Sequence, residues 1–527
     1  MGIYLNPGNS GFAEIRNSTY VDKSGLIGLI NDTIGTTQKL TCISRPRRFG
    51  KSFAAQMLCA YYDKTCDSAP LFADLEIAVN PALRHSYQEH LNRYDVIYLD
   101  MTNILGEAGS EGMLSFIRRK VTEELADAYP GLRGDESFST TLVHAAELTG
   151  NKFIAIIDEW DVPIRETPEI QKQYLEFLRT LFKGSGTTAR IFAAAYMTGI
   201  LPVKKDGSQS AISDFKEFSM INPWKFAGYV GFTKKEVQTL CEEHGCDFAM
   251  MKHWYDGYTL TEDASVYNPN SVMEAVRYHS CRSYWTETSA SKNLMDYISM
   301  DFDGLSKTIA ELLGGIEVPV DTNGFANDLV TFQNKDDILT LLIHLGYLAY
   351  HEKTKMAHIP NEEIRLEFSK SVRKVRREET IRRVRESDQL IMDTIQMKAD
   401  AVAARIQKIH AEETAILYYN DEQALRSVIK LAYFSYKDYY LKFEELPAGD
   451  GYADLVYFPK KTTALPALVI ELKWKKSAQG AIAQIKEKRY PDALQGYGKD
   501  VLLVGISYNV ENDKRKHTCV IEKMLLS

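Results

Sequence analysis

The chain has 527 residues, 45% of them hydrophobic and 25% charged, with a formal net charge of −8. That length exceeds what one hydrophobic core organises, so two to four domains are expected, and the acidic balance excludes nucleic-acid binding through overall charge; any basic patch must be local. The seven cysteines form no CxxC pair, no apolar run reaches the ~18 residues of a membrane helix, and the N-terminal stretch lacks the basic-then-apolar order of a signal peptide, which together point to reduced thiols, no membrane and a cytoplasmic location.

In chain order, KLTCI reads as a short strand over 39–43, followed by the polar loop SRPRRFG and a helical run with apolar residues at Phe53, Met57, Leu58 and Tyr61. YDVIYLD is a second strand, ending at Asp100, and GMLSFIRRKVTEELADAY has helical spacing. NKFIAIIDEWD is a third strand, continuously apolar from Phe153 to Ile157, the pattern of a parallel strand buried on both faces. EIQKQYLEFLRTLFKGSG is a helix closed by glycines, and ARIFAAAYMTGI is a fourth buried strand. Strands alternating with helices predict a parallel α/β sheet and a first domain over 1–232. Short helices and aromatic-rich turns such as WYDGYTL then predict a mostly helical lid over 233–358, and a charged, proline-free stretch predicts helical linker over 359–405. Residues 406–527 read as helix, strand, strand, helix, strand, a second α/β domain.

Two constellations carry chemistry. Gly50-Lys51-Ser52 sits between a strand and a helix, as the end of a phosphate-binding loop does. There backbone N–H groups and the lysine face the phosphates and the hydroxyl holds Mg²⁺. Arg45 replaces the usual first glycine, and Pro46 removes one N–H donor. Arg47 and Arg48 add positive charge, and Phe49 and Phe53 complete the stretch expected to line the nucleotide. The apolar third strand ends in Asp158, a candidate Mg²⁺ ligand, and Glu159, a candidate to polarise the attacking water. Thr198, at the end of the fourth strand, is placed to orient that water or sense the γ-phosphate, and Arg179 and Arg190 are both candidates for a catalytic arginine. Lys23 suits a contact to adenine or phosphate and, equally, a cap or salt bridge.

The second constellation joins Asp454 on one strand to Glu471 and Lys473 on the next. Residues two apart on a strand share a face, so both project toward Asp454. Two carboxylates can bind Mg²⁺, with the Leu472 carbonyl as an extra ligand, and Lys473 can hold or deprotonate a water, which is the equipment of a metal-dependent nuclease. Glu422 on the preceding helix would complete the carboxylate set, and Gln484 and Tyr490 would contact a nucleic-acid backbone.

Three weaker signals read as structural. The basic run SVRKVRREETIRRVRE is a solvated helix face, because Glu378, Glu379 and Glu386 interleave. The aromatics of 253–285 are core packing rather than a base-stacking surface. His253 and Asp256 lack a second histidine at ligand spacing, so no zinc site is expected.

Both constellations resemble known families. YVDKS over 20–24, RPRRFGKS over 45–52, IIDEWD, GFTKKEV and WYDGY are similar to bacterial AAA-ATPase-like proteins. Gly451-Tyr452-Ala453-Asp454, Glu471 to Lys473, and Gln484 to Tyr490 with Pro491 resemble the PD-(D/E)XK nuclease superfamily domain usually fused to them. Tyr452 stands where an arginine is usual, and Trp160 where a tyrosine is common. The resemblance implies a P-loop NTPase sheet with a helical lid, plus a C-terminal α/β restriction-endonuclease-like domain. ATP and Mg²⁺ are the expected cofactors and nucleic acid (DNA ahead of RNA) the expected partner, with a homo-oligomer allowed; the two-site architecture, rather than the resemblance, points to defence or mobile-element biology. The expected function is nucleotide-gated phosphodiester hydrolysis. The alternative is a nucleotide-dependent switch or scaffold that binds nucleic acid or a partner without cutting.

Overall fold

The structure is a computed structural model describing residues 2–525 apart from 133–136, 184–185, 204, 207–208, 211, 213, 262–263, 286–303, 327–331, 333, 375–377, 414–421, 434, 437–438, 449–450, 461–464, 490–499 and 512–513. The chain divides into two compact units: residues 1–290 with 319–366, and residues 291–318 with 367–527.

In the first unit, strands β1 (Leu40–Ser44), β2 (Asp95–Asp100), β3 (Phe153–Asp158), β4 (Phe192–Gly199) and β5 (Lys216–Phe218) form one parallel sheet in the order β2-β3-β4-β1-β5. Residues of β1, β3 and β4 are buried throughout, which is why they read as unbroken apolar runs. Helices α1 (Lys51–Tyr62), α2 (Met101–Ala128), α3 (Phe138–Thr149) and α4 (Gln171–Phe182) cover the sheet. Gly109, with φ 67, kinks α2, and Asp100 caps it by accepting from the Thr102 and Asn103 N–H groups. From β1 the chain crosses to one side of the sheet, and from β4 to the other, so the loop after β1 opens at the carboxyl ends of the strands where the order reverses. That crevice is where open α/β sheets take ligands.

The lid contains α5 (Lys234–His244), α6 (Phe248–Tyr255), α7 (Pro269–Tyr278) and α8 (Lys335–Leu345). It also holds a small antiparallel sheet of β6 (Phe232–Thr233), β7 (Tyr258–Thr261) and β8 (Ala264–Tyr267), and the hairpin of β9 (Ala349–His351) and β10 (Met356–His358). These short strands were not expected, since two to four residues are too few to carry a period. Tyr255, Tyr258, Tyr267, Tyr284 and Trp285 are buried in or beside the lid core, while Tyr278 is exposed. Lys23 makes an ion pair with Glu236 at 2.6 Å and donates to the Gly228 carbonyl, so its ammonium is engaged in tying the N-terminal segment to α5.

The second unit is built on α9 (Glu378–Ile395), α10 (Ala399–Glu413), α11 (Glu422–Ala432) and a five-stranded sheet with one helix, α12 (Ala478–Glu487). Its strands are β11 (Tyr440–Ala448), β12 (Gly451–Pro459), β13 (Ala467–Trp474), β14 (Asp500–Glu511) and β15 (Lys514–Leu525), paired in chain order. Only β13 and β14 are parallel, and α12 makes the crossover that a parallel pair requires. α9, α10 and α11 bury Leu390, Ile391, Val402, Ile406, Leu425 and Ile429 on one face of the sheet. α12 buries Ile482 and Ile485 on the other. Gly505 on β14 lets α12 approach: a Cβ there would lie 2.3 Å from the Ala478 carbonyl oxygen. Gly505→Ala is therefore expected to destabilise this unit by roughly 1–3 kcal/mol, to be read from urea unfolding of the full chain. Among the described residues no helix is long and apolar enough to cross a membrane.

Candidate functional site

Each unit gathers one constellation. In the first, the loop between β1 and α1 turns through left-handed backbone at Arg48 (φ 67) and Gly50 (φ 90). A Cβ at Gly50 would meet nothing within 4 Å, so conformation rather than crowding calls for glycine there. Lys51, almost fully buried, donates to the Pro46 carbonyl at 3.1 Å and lies 3.5 Å from Glu159. Ser52 stands close enough to Asp158 to draw its carboxyl's proton affinity down. Glu159 follows with φ 51, a left-handed conformation costly for a side chain of its size. Thr198 is fully buried and pairs in register with Ile43 across β4 and β1.

Arg45 sits elsewhere than its neighbours. Its guanidinium is fully buried and donates to the carbonyls of Ser44, Phe218 and Phe226, so the side chain fastens the loop base to the segments behind β1. Phe49 is buried edge-on against Tyr258, and Arg48 donates to the Tyr284 carbonyl at 3.1 Å, both contacts to the lid. Pro46 packs beside Gly346. Phe53 is exposed on α1. Burial lowers the affinity of the Arg47 guanidinium for its proton, and its charge is felt by Arg165, Glu159, Glu166 and Asp161.

Sequence reasoning passed over two residues here. Asp100 ends β2 in register with Asp158 at the end of β3, and burial raises its carboxyl above the usual range. Arg165, buried, pairs with Glu159 at 3.1 Å and with Asp161 at 2.8 Å. Asp161 in turn accepts from the Ile200 and Leu201 N–H groups and fixes the turn after β4. The signal was present in DEWDVPIRE, where Arg165 falls one helical turn after Asp161 in an otherwise apolar stretch. Arg190 is exposed and paired with Glu147.

Burial, with Glu159 beside it, pushes the Asp158 carboxyl up to about 6 from the ordinary 3.8, against the pull of Ser52. The unfolded chain thus loses this proton first, and stability falls as pH rises between those values, by at most about 3 kcal/mol. In nucleotide- and metal-free buffer Asp158→Asn is expected to be more stable than wild type at pH 8 by roughly 1–3 kcal/mol, the gain fading toward pH 4. Thermal melting across pH checks this.

In the second unit the β12–β13 ladder runs from Tyr457↔Leu468 to Leu455↔Ile470. One residue beyond, the Asp454 carboxylate accepts from the Leu472 N–H at 2.9 Å. Glu471 is buried and accepts from Lys473 Nζ at 2.9 Å and from the Gln484 side-chain amide on α12. Among the described residues its Oε2 has no hydrogen-bond partner. Burial, then the Asp454 charge, pushes its carboxyl up to about 7. Arg426 on α11 donates to Asp454 at 2.5 Å, a contact the sequence reading missed although Arg426 lies one turn after Glu422. Glu422 opens α11, but its side chain, like Tyr490, lies outside the described residues. Tyr452 is exposed. Asp454, Glu471, Lys473 and Gln484 are thus one cluster.

The donor sets fit divalent cations. At Asp454 and Glu471 two buried carboxylates stand together, one with an orphaned oxygen, a combination whose charge a hard cation would offset. At Ser52 and Asp158 a hydroxyl and a carboxylate stand close beside Lys51.

Residues 7–208 match the family model described as predicted AAA-ATPase, and residues 420–518 match that of the PD-(D/E)XK nuclease superfamily. The chain is also similar to the uncharacterized protein in the vnfD 5′ region of Azotobacter chroococcum mcd 1, 26% identical over 299 residues. That match spans 55% of this chain and 54% of the relative, so the chain covers about half the length of the curated relative it matches. Among solved structures it is similar to the Aeropyrum pernix ORC2 protein (ADPNP-ADP complexes), at 10% identity, over 68% of this chain and 97% of that one. The TM-score is 0.26, too low for any conclusion to rest on it. The chain therefore carries, in this order, a segment that matches the predicted AAA-ATPase model and a segment that matches the PD-(D/E)XK nuclease superfamily model.

Proposed function

We propose that this protein binds and hydrolyses ATP at the loop after β1 and cuts nucleic acid, DNA ahead of RNA, at the Asp454–Glu471–Lys473 cluster, with nucleotide state gating the cut. The observation that carries the reading is Glu471: a buried carboxylate, one oxygen unpaired among the described residues, held by Lys473 and Gln484 beside a second carboxylate. A buried carboxylate oxygen in that position calls for a partner, and a divalent cation would supply one.

When bound, Mg²⁺ supplies an acidified water and neutralises charge on the scissile phosphate; Asp454 and Glu471 would hold it. Lys473 donates from Nζ to hold the attacking water as the ammonium, or accepts its proton as the neutral amine. Gln484 orients Glu471. In the first unit Ser52 and Asp158 would hold Mg²⁺, Lys51 meets the phosphates once released from Pro46 and Glu159, and Glu159 positions water. Arg165 and Arg47 are the cations best placed to meet charge that develops there.

One observation favours the alternative, a switch or scaffold that does not cut. Arg426 occupies one Asp454 oxygen, and a metal must share or displace it. The two readings separate in a plasmid-cleavage assay with Mg²⁺, with and without ATP, on wild type and Lys51→Ala. Gated cutting predicts that ATP changes the wild-type rate and not that of Lys51→Ala. Absence of cutting by both proteins, with ATP still bound by wild type, supports the scaffold.

A further inference from the structure

Pro46, Arg48 and Phe49 of the nucleotide loop lean on the lid, and the Arg48 contact leads on to the helix Glu362–Lys374. Arg48 is exposed and adopts left-handed backbone (φ 67), a conformation that persists only where the surroundings hold it. Its guanidinium donates to the Tyr284 carbonyl at 3.1 Å. The N–H of the same residue, Tyr284, donates to Glu363 Oε1 at 2.6 Å. The Trp285 N–H and the Ser271 hydroxyl reach that oxygen too, each at 3.0 Å. Glu363 is 1% exposed, and a carboxylate so buried is tolerated where fixed donors surround it. Tyr284 is thus clasped by the loop arginine through its carbonyl and by the helix glutamate through its N–H. The start of the helix is itself fixed: Asn361 accepts from the Ile364 N–H at 3.1 Å and donates to the Asp256 carbonyl at 2.9 Å. Within this same helix, after Leu366, the chain passes from the first unit to the second.

We propose that Arg48 reads nucleotide occupancy and that Glu363 is the positioning residue that carries it to the helix. Without nucleotide the Arg48 guanidinium holds the Tyr284 carbonyl. With a nucleoside triphosphate bound it turns to the phosphates, and Glu363 passes the release of residues 284–285 to the first turns of the helix. The proposal rests on the reading of the loop as an ATP site and names the contact at which gating begins. Competition favours phosphate, because a guanidinium bonds an anionic oxygen roughly twice as strongly as neutral partners bond each other. A ligand shifts an equilibrium only through contacts that differ between the two states. Arg48 supplies such a contact, made to a lid carbonyl in one state and to the ligand in the other.

The test is amide hydrogen exchange of the full-length protein, free and saturated with the β,γ-imido analogue of ATP in Mg²⁺, with saturation fixed beforehand by a binding isotherm. In wild type the analogue should speed exchange of the Tyr284 and Trp285 amides and of residues 361–366 by roughly 5–150-fold, and adenosine, which lacks phosphates, should not. Arg48→Met should abolish the response and Arg48→Lys restore it in part, because lysine keeps the charge that moves; a merely structural role treats the two alike. Glu363→Gln should bind the analogue with no response left in residues 361–366. If that variant does not fold, the Arg48 pair decides. No acceleration in wild type that binds the analogue, or a wild-type response in Arg48→Met or in residues 361–366 of Glu363→Gln, overturns the proposal and leaves the ATP site standing. Failure of wild type to bind the analogue overturns the ATP reading and this proposal with it.

Discussion

Lys473→Met is expected to reduce nucleic-acid cleavage roughly 10²–10⁴-fold while leaving nucleotide binding unchanged. The ammonium lies 2.9 Å from Glu471 Oε1, on the side of β13 covered by α12, and methionine keeps the stem while removing the charge. Glu471→Gln should abolish cutting as well, and its pH behaviour distinguishes a site from a salt bridge. With its carboxyl pushed up to about 7, Glu471 holds its proton longer in the folded chain than in the unfolded one. Its ionisation therefore lowers stability as pH rises toward 7, and metal-free Glu471→Gln should melt above wild type at pH 8 but not at pH 4. A structural ion pair predicts the opposite, a variant less stable at pH 8. Gln484→Ala, which removes the amide that orients Glu471, should cost a smaller factor, roughly 10–100-fold. Cleavage rates at saturating Mg²⁺ order the three variants.

The second large effect belongs to the nucleotide loop. Lys51→Ala is expected to weaken ATP binding by roughly 10–150-fold, the loss of one charge-assisted contact to phosphate. Glu159→Gln should bind ATP with unchanged affinity and release phosphate roughly 10²–10⁴-fold more slowly. The distinction follows from placement. Lys51 opens α1 at the end of the phosphate loop, whereas Glu159 sits beyond β3, restrained by Arg165 in a left-handed turn. Binding isotherms and phosphate release measured on the same preparations separate the two roles. Equal phosphate release by wild type and Glu159→Gln would remove Glu159 from the mechanism.

Much of this was legible because buried parallel strands announce themselves. Phe153–Asp158 and Phe192–Gly199 are covered on both faces, so nothing polar interrupts them until the strand ends, where Asp158 and Thr198 stand. The same logic exposed β12 and β13, and with them Asp454, Glu471 and Lys473. Edge strands give no such signal. Among the described residues β11, YLKFEELPA, and β15, KRKHTCVIEKML, each pair on one side only, and charged residues interrupt both sequences, so neither has an apolar run. Neither was expected as a strand. Residues joined only by tertiary contact were equally silent. Arg426 reaches Asp454 across 28 positions, and Arg45 looks like a phosphate ligand until its guanidinium is seen among the carbonyls of Ser44, Phe218 and Phe226.

The central claim is that Asp454, Glu471 and Lys473 cut a phosphodiester with a divalent cation. Its most direct measurement is the incubation of purified wild type and Glu471→Ala with double-stranded DNA, single-stranded DNA and RNA, in Mg²⁺ or in chelator, with and without ATP. The account predicts cleavage of at least one substrate by wild type in Mg²⁺, absent in chelator and absent in Glu471→Ala under every condition. Identical behaviour of wild type and Glu471→Ala on every substrate would contradict it.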